Sequence, residues 1–214
     1  YNIRFLRNTV GTNLNDFDDP IQEEFSKSAR KNVRKALKNG VTYEVIPNPD
    51  NIQEFKEIYY ATMDRNKADD FYYFSDSYFD DLIKYFKKNI VLVKVKYENT
   101  LIAMGFYFKY KNLLHTHLSG SLKEYRHLSP AYVLRYVLTQ WGKDNGYHLI
   151  HNGGGTTNDD DDGLYRFKKR FGKNTDLEFY IGTKIWNRAI YNQLCNKVNK
   201  DKHGDFFPAY RGKR

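Results

Sequence analysis

The chain has 214 residues, 40% of them hydrophobic, which is enough to bury a substantial core as one domain or as a domain with an elaboration. Its formal net charge of +9 favours anionic partners: nucleic acid, phosphorylated small molecules or an anionic membrane surface. The single cysteine, Cys195, excludes an intrachain disulfide framework and a thiolate cage for a metal. Because no apolar run is long enough to span a bilayer and no leader precedes the first periodic segment, the sequence predicts a cytoplasmic protein without stable membrane insertion.

Residues 1–89 are predicted as a mainly helical N-terminal part. Apolar residues at helical spacing, interleaved with Lys and Arg, predict a basic amphipathic helix over residues 21–39, which Gly40 ends. A short strand over residues 42–46 and two helices follow. Asp50 is the predicted cap of the first of these helices, and the second covers residues 77–88. Since the chain begins with Tyr1 instead of Met, the prediction allows for a missing upstream domain.

Residues 90–200 are predicted as the core, because the apolar period changes to two. This alternation predicts an antiparallel meander of three strands over residues 90–97, 101–110 and 113–119. A helix over residues 129–145 follows, with Pro130 in its first turn and Gly146 just past its end. A strand over 147–151 beside the meander and a short basic helix ending at Gly172 are predicted next. They are followed by a strand over 177–181 and a helix over 184–200, whose residues Trp186, Ile190, Leu194 and Val198 lie on one stripe. A mobile tail is predicted over 201–214.

Three consecutive glycines, Gly153, Gly154 and Gly155, lie between the predicted strand over 147–151 and the short basic helix. Without Cβ atoms they let the backbone approach a ligand, and the N–H groups at the following helix start favour developing negative charge. The acidic run of residues 159–162 precedes that helix. We interpret it as a cluster that complements the helix dipole rather than as a metal site.

Six stretches of the sequence, taken in order, resemble one enzyme family: residues 28–41, 62–65, 78–82, 117–121, 153–155 and 164–172. With the predicted order of elements, they resemble the Fem-type branch of the GNAT acyltransferase superfamily. The resemblance implies an α+β, GNAT-like acyl-CoA N-acyltransferase fold with a central mixed, mostly antiparallel sheet flanked by helices. It also implies an enzyme that attaches amino acids from aminoacyl-tRNA to peptidoglycan precursors. Fem-type proteins usually carry two such halves, and this chain has material for one.

The resemblance assigns roles to three residues after the glycine loop. Lys168 matches a lysine that stabilises the oxyanion formed when an amine attacks the acyl carbonyl, a task that suits a compact ammonium. The alternative for Lys168 is a solvated helix face. Tyr165 lies where many GNAT enzymes place a tyrosine that protonates the leaving group, although Fem-type sequences often have phenylalanine there. Phe167 is predicted in the core, where it also walls the acyl pocket.

Two histidines of the third predicted meander strand share one face. His115 and His117, with Ser119, offer a general base or two metal ligands. No third ligand with suitable spacing accompanies them, so we predict no metal site and take His117 as the candidate base. Proton transfer by the substrate itself, with no protein base, is the alternative.

Four arginines are candidate contacts for an anionic substrate, because their guanidinium forks match phosphates and carboxylates. They are Arg30 and Arg34, one turn apart on the basic helix, together with Arg65 and Arg126. Ordinary surface exposure is the alternative. In acyl-CoA-dependent GNAT enzymes a glycine-rich turn cradles the coenzyme A phosphates; the matching residues 124–131 lack those glycines, which weighs against coenzyme A as donor.

The sequence therefore predicts an N-acyltransferase that moves an aminoacyl group from aminoacyl-tRNA, a transient partner, to an amine of a cell-wall precursor peptide, with no tightly bound cofactor. Two alternatives stay open. One is an acyl-CoA-dependent N-acetyltransferase that acts on an amino sugar or amino acid in surface polysaccharide synthesis. The other is a non-catalytic module that binds tRNA or the precursor.

Overall fold

The computed structural model describes residues 1–159, 161–201 and 206–212, and the chain divides into two compact units. Asn8–Leu177 form the larger unit, and Tyr1–Arg7 with Glu178–Arg214 form the smaller one. Within the described part of the chain, no helix combines the length and the apolar character that a membrane span requires. The larger unit holds all the candidate site residues.

The described residues contain seven α-helices: α1 Pro20–Glu24, α2 Lys27–Lys38, α3 Gln53–Asn66, α4 Asp76–Phe86, α5 Pro130–Asp144, α6 Gly163–Lys169 and α7 Arg188–Lys197. The single helix predicted over residues 21–39 is two helices. The chain breaks at Phe25, and the Ser26 hydroxyl caps α2 by accepting from the Ala29 N–H at 3.2 Å. The apolar spacing hid this break because Phe25 and Ala29 are both fully buried on the same side. Asp50 does not cap α3; it forms an ion pair with Lys87.

The strands are β1 Asn2–Asn13, β2 Thr42–Pro47, β3 Ile90–Tyr97, β4 Thr100–Tyr110, β5 Leu113–Ser121, β6 Leu149–Gly153 and β7 Asp176–Thr183. They form one sheet in the order β2-β3-β4-β5-β6-β1-β7. Strands β2 to β5 pair antiparallel, β5 and β6 pair in parallel, and β6 pairs antiparallel with β1. The predicted α+β architecture with a mixed, mostly antiparallel sheet is confirmed, although the sequence analysis missed β1.

Helices cover both faces of the sheet in the larger unit. Successive side chains of a strand point to opposite faces, so Val93 and Val95 of β3 pack with residues of α2 and α5, including Ala36 and Val137. Leu92, next to Val93 along the strand, packs on the other face in a second cluster to which α3 and α4 contribute Phe55, Ile58, Phe79 and Leu82. The strand is therefore buried on both sides, as its almost continuous apolar sequence requires.

In the smaller unit, α7 packs against a turn of 3-10 helix at Ala209–Arg211, and Tyr191, Cys195 and Ala209 are buried there. This packed turn differs from the mobile tail predicted over residues 201–214, of which residues 202–205 and 213–214 lie outside the described residues. The predicted stripe of α7 is also wrong. Trp186 precedes the helix and is 78% exposed, and the other three stripe residues are exposed as well.

Candidate active site

A pocket opens where β5 and β6 stop pairing. In the described part of the chain their parallel pairing ends at His115 and His151. A pocket of about 460 Å³ lies beyond this point, a volume typical of small-molecule sites (about 300–1,000 Å³). Strand β5 contributes residues 116–121 to its lining, α3 contributes Tyr59, Thr62 and Met63, α5 contributes Ala131, Leu134 and Arg135, and α6 contributes Leu164 and Lys168.

Lys168 lines this pocket and is hydrogen-bonded to the glycine loop, although Gly153, Gly154 and Gly155 are not among the described residues that line it. Its Nζ donates a hydrogen bond to the Gly154 carbonyl oxygen at 2.7 Å. Gly153 has a φ of +75°, a conformation that favours glycine, and a Cβ at this position would lie 3.3 Å from the Lys168 Nζ. The structure thus brings together the lysine and the loop that the sequence singled out.

Asp162 holds the glycine loop and α6 together. Its carboxylate accepts hydrogen bonds from backbone N–H groups on both sides: Leu164 (2.8 Å), Tyr165 (2.9 Å), Thr156 (3.0 Å) and Thr157 (3.0 Å). The Thr156 hydroxyl and these N–H groups hold the pKa of Asp162 well below its usual range. A Cβ on Gly155 would lie 2.5 Å from the Asp162 carboxyl carbon, so glycine is needed for this close approach. Of the acidic run, which the sequence analysis interpreted as complementing the helix dipole, Asp162 caps α6, and Asp160 lies outside the described residues.

His117 lines the pocket and is hydrogen-bonded to a tyrosine. Its Nε2 lies 2.7 Å from the Tyr78 hydroxyl, and its ring packs against Phe106 and Phe108. Burial lowers the pKa of His117 to about 4. The imidazole is therefore neutral near pH 7, and it is a weak base.

His115 does not point into the pocket as a second cleft histidine; it pairs with His151 of β6. The two Nδ1 atoms are 3.0 Å apart and the rings are stacked, with centroids 5.1 Å apart. The pKa of His115 is lowered to about 4, first by burial and then by the neighbouring cationic groups, and burial also lowers the pKa of His151. Two neutral imidazoles joined by a hydrogen bond fix the strands at the point where the pocket begins. The sequence analysis missed this pair because the partners are 36 residues apart.

Arg135 is a further pocket residue that the sequence analysis missed. It is partly buried, and it donates to the Asn152 side-chain oxygen at 3.3 Å. The signal was a cation within the apolar pattern of α5, where Leu134 and Leu138 are buried. A charged side chain on a helix face that is otherwise buried indicates a polar function or a buried partner.

The sequence around this pocket matches a known family. Residues 23–169 match the model of the acetyltransferase (GNAT) domain, which is more than half of the chain. The chain belongs to the GNAT acetyltransferase family. The pocket described above lies inside the matched residues. A search among curated proteins finds no match.

Several solved structures have the same fold as this GNAT domain. FemX superposes with a TM-score of 0.68 at 16% identity, over 89% of this chain and 64% of that chain. The C-terminal domain of a putative lysylphosphatidylglycerol synthetase from Agrobacterium fabrum superposes with a TM-score of 0.62 at 14% identity. L-PGS from Bacillus licheniformis superposes with a TM-score of 0.60 at 18% identity. Each of these two superpositions covers 84% of this chain and 60% of the other chain. The chain thus spans less than two thirds of these proteins. The GNAT family and fold that the sequence analysis expected are confirmed, and FemX shares this fold.

Two residues of α6 that the sequence analysis assigned to the GNAT site face elsewhere. The Tyr165 hydroxyl donates to Asp176 at 3.3 Å, and Tyr165 is not among the described residues that line the pocket. Phe167 packs against Tyr132 and Phe171, with ring centroids 5.5 and 5.2 Å away. The structure therefore does not bring the leaving-group tyrosine or the acyl-pocket wall to the cavity. Only Leu164 and Lys168 of this helix reach it.

The four candidate arginines are also outside the pocket lining. Arg30 donates to the carbonyl oxygens of Gln22 (2.8 Å) and Phe25 (2.5 Å), so it closes the end of α1 and does not form a clamp with Arg34, which is exposed. Arg65 binds the carbonyl oxygen of Ser121, a pocket residue, and thereby ties α3 to β5. Arg126 is exposed in the 3-10 turn before α5.

Proposed function

We propose that this GNAT domain transfers an aminoacyl group from aminoacyl-tRNA to an amine of a cell-wall precursor peptide. The observation that carries the proposal is the Lys168 ammonium, held 2.7 Å from the Gly154 carbonyl oxygen at the wall of the pocket. A cation fixed in this way needs little reorganisation when negative charge develops beside it, and such preorganisation is the main source of electrostatic catalysis. The name of one neighbour, putative lysylphosphatidylglycerol synthetase, denotes a product in which an amino acid is joined to a lipid, which agrees with aminoacyl chemistry.

In this mechanism the acceptor amine attacks the ester carbonyl of the donor. A C–N bond forms, and the carbonyl oxygen becomes an oxyanion that accepts a hydrogen bond from Lys168. The C–O bond to the tRNA ribose then breaks, and the leaving oxygen takes the proton that the amine loses.

The proton is proposed to pass within the substrates and not through His117. A base with a pKa of about 4 is poorly matched to an amine near neutral pH, since the best catalytic pKa lies close to the working pH. Neutral His117, held by its hydrogen bond to the Tyr78 hydroxyl, instead contributes a polar group to the pocket wall. This assignment takes up the alternative in which no protein base is needed.

The start of α5 supports aminoacyl-tRNA over coenzyme A. Phosphate cradles need free backbone N–H groups. Before α5, the N–H groups of Arg126, Leu128 and Ser129 are already bonded to carbonyl oxygens three residues earlier, at 3.0–3.1 Å. Pro130, the first residue of the helix, has no N–H at all. A pyrophosphate would therefore find few donors at this turn.

The test compares two acyl donors and the substitution of two neighbouring lysines, Lys168 and Lys169. The chain is incubated with a cell-wall precursor peptide and either aminoacyl-tRNA or acetyl-CoA, and the amide product is measured by mass spectrometry. We expect product from aminoacyl-tRNA only. Lys168→Met is expected to lower kcat by about 10²–10³-fold, the usual effect of removing one oxyanion donor. Lys169→Met is the matched control, because Lys169 pairs with Asp176 (2.6 Å) and does not line the pocket.

Other outcomes select other functions. Acetylation of the acceptor from acetyl-CoA would replace the proposal with an acetyltransferase. Binding of tRNA that survives Lys168→Met, with no product from either donor, would indicate a non-catalytic module. An equal loss of activity in Lys168→Met and Lys169→Met would remove the special role of Lys168.

A further inference from the structure

The guanidinium of Arg135 lines the pocket without a carboxylate partner. Among the described residues it has one hydrogen bond, to Asn152 at 3.3 Å, and none of the ion pairs includes it. A guanidinium has five N–H donors, and arginine stays protonated in proteins. A partly buried cation with so few partners is costly unless an anion joins it.

The surroundings of Arg135 are electropositive. No Asp or Glu is among the described residues that line the pocket, and Lys168 supplies a second cation. Ala131, in the first turn of α5, lies on the same wall, so the positive end of the helix dipole faces the pocket as well. The buried Tyr107 hydroxyl, which has no hydrogen-bond partner among the described residues, also interacts electrostatically with Arg135. The pocket is therefore suited to a substrate that carries a negative charge.

We propose that Arg135 binds a carboxylate of the acyl acceptor, so that the acceptor is an amino acid or a peptide with a free carboxylate. This inference rests on the proposed function, which places the acceptor amine in the same pocket as Lys168. The planar fork of arginine matches a carboxylate with two parallel hydrogen bonds. An amino acid or short peptide carries its carboxylate a few bonds from its amine. Such a molecule suits a pocket of about 460 Å³ that is lined by two cations, Lys168 for the oxyanion and Arg135 for the carboxylate. A simple amino sugar such as glucosamine has no carboxylate.

The experiment measures binding without turnover. Glycylglycine, glycylglycinamide and inorganic phosphate are titrated separately into the full chain, and the Arg135 Nε–H resonance is followed by NMR. The resonance is assigned by its loss in Arg135→Lys, which keeps the positive charge and the fold. We expect glycylglycine to shift the resonance and to bind about 10- to 100-fold more tightly than glycylglycinamide, because a hydrogen-bonded charge contact is lost in the amide. In Arg135→Lys this preference is expected to fall to within about threefold, since the ammonium lacks the fork.

Two results would overturn the inference. One is equal binding of the two dipeptides to the unmodified chain, a comparison that needs no variant to fold. The other is tighter binding of phosphate than of glycylglycine at the Arg135 resonance, which would assign the guanidinium to a phosphate of the donor. The proposed function can be refuted independently of this inference. If neither donor yields product but glycylglycine still binds at Arg135 in preference to its amide, the carboxylate site is supported and the proposed aminoacyl transfer is refuted.

Discussion

The partly buried imidazole of His117 makes acid stability a direct test of the pocket. Its pKa is lowered from 6.5 to about 4 by burial in the folded protein. Between these two values the unfolded chain binds the proton and the folded chain does not, so the free energy of unfolding falls as the pH is lowered through this window. For one histidine with these pKa values, the loss between about pH 7 and about pH 5 is about 2 kcal/mol.

His117→Gln isolates this contribution. Glutamine does not titrate, and its side-chain amide can still bond to the Tyr78 hydroxyl. Urea unfolding of both proteins at about pH 7 and about pH 5 gives four free energies, and we expect the unmodified chain to lose about 2 kcal/mol more than the variant. His115 titrates in the same window, but it is present in both proteins. An equal acid loss in the two proteins, or an NMR titration of His117 with a midpoint above about 6, would refute the reasoning.

Two further predictions concern packing that supports the pocket. Gly120→Ala would place a Cβ 2.5 Å from the Ile58 carbonyl oxygen of α3. We therefore expect the free energy of unfolding, measured by heat or urea, to fall by about 1–3 kcal/mol. Gly163→Ala is the control: a Cβ there has nothing within 4 Å, so the free energy of unfolding should change by less than about 1 kcal/mol. Comparable effects of the two substitutions would contradict the close approach of β5 and α3. Arg30→Met should lower the free energy of urea unfolding by about 1–3 kcal/mol, because two backbone carbonyls lose a charged donor. Arg34→Met, at an exposed position, should lower it by less than about 0.5 kcal/mol. A larger effect for Arg34 than for Arg30 would contradict the structural role given to Arg30.

The sequence predicted the parts of the fold in which local signals and packing agree. The meander of β3, β4 and β5 alternates clearly, and Pro130 and Gly146 bound α5 by their own backbone chemistry. Strand β1 was missed because its burial changes from exposed to buried along its length, so no single period describes it. The break before Ser26 was missed because a continuous apolar face spans two helices.

Site residues were predictable where one loop determines the contact. The triple glycine and Lys168 are separated by 14 residues and meet because Asp162 joins the loop to the helix. Arg135 and the histidine pair depend on how β5, β6 and α5 come together, which only the tertiary structure supplies. Basic residues on helix surfaces were the least informative, because Arg30 is engaged by backbone carbonyls and Arg34 is exposed.

The early end of the β5–β6 ladder leaves a stretch of β5 backbone beside the pocket that amino acid substitutions do not remove. Beyond His115, the edge of β5 that turns toward β6 has no strand partner among the described residues, and residues 116–121 lie along the pocket. Main-chain amides and carbonyls on such an edge can receive an extended ligand as an added strand. Mutation alters side chains but leaves this peptide edge in place. The pocket side chains of α3 and α5 can therefore change over evolutionary time while this peptide edge stays in place.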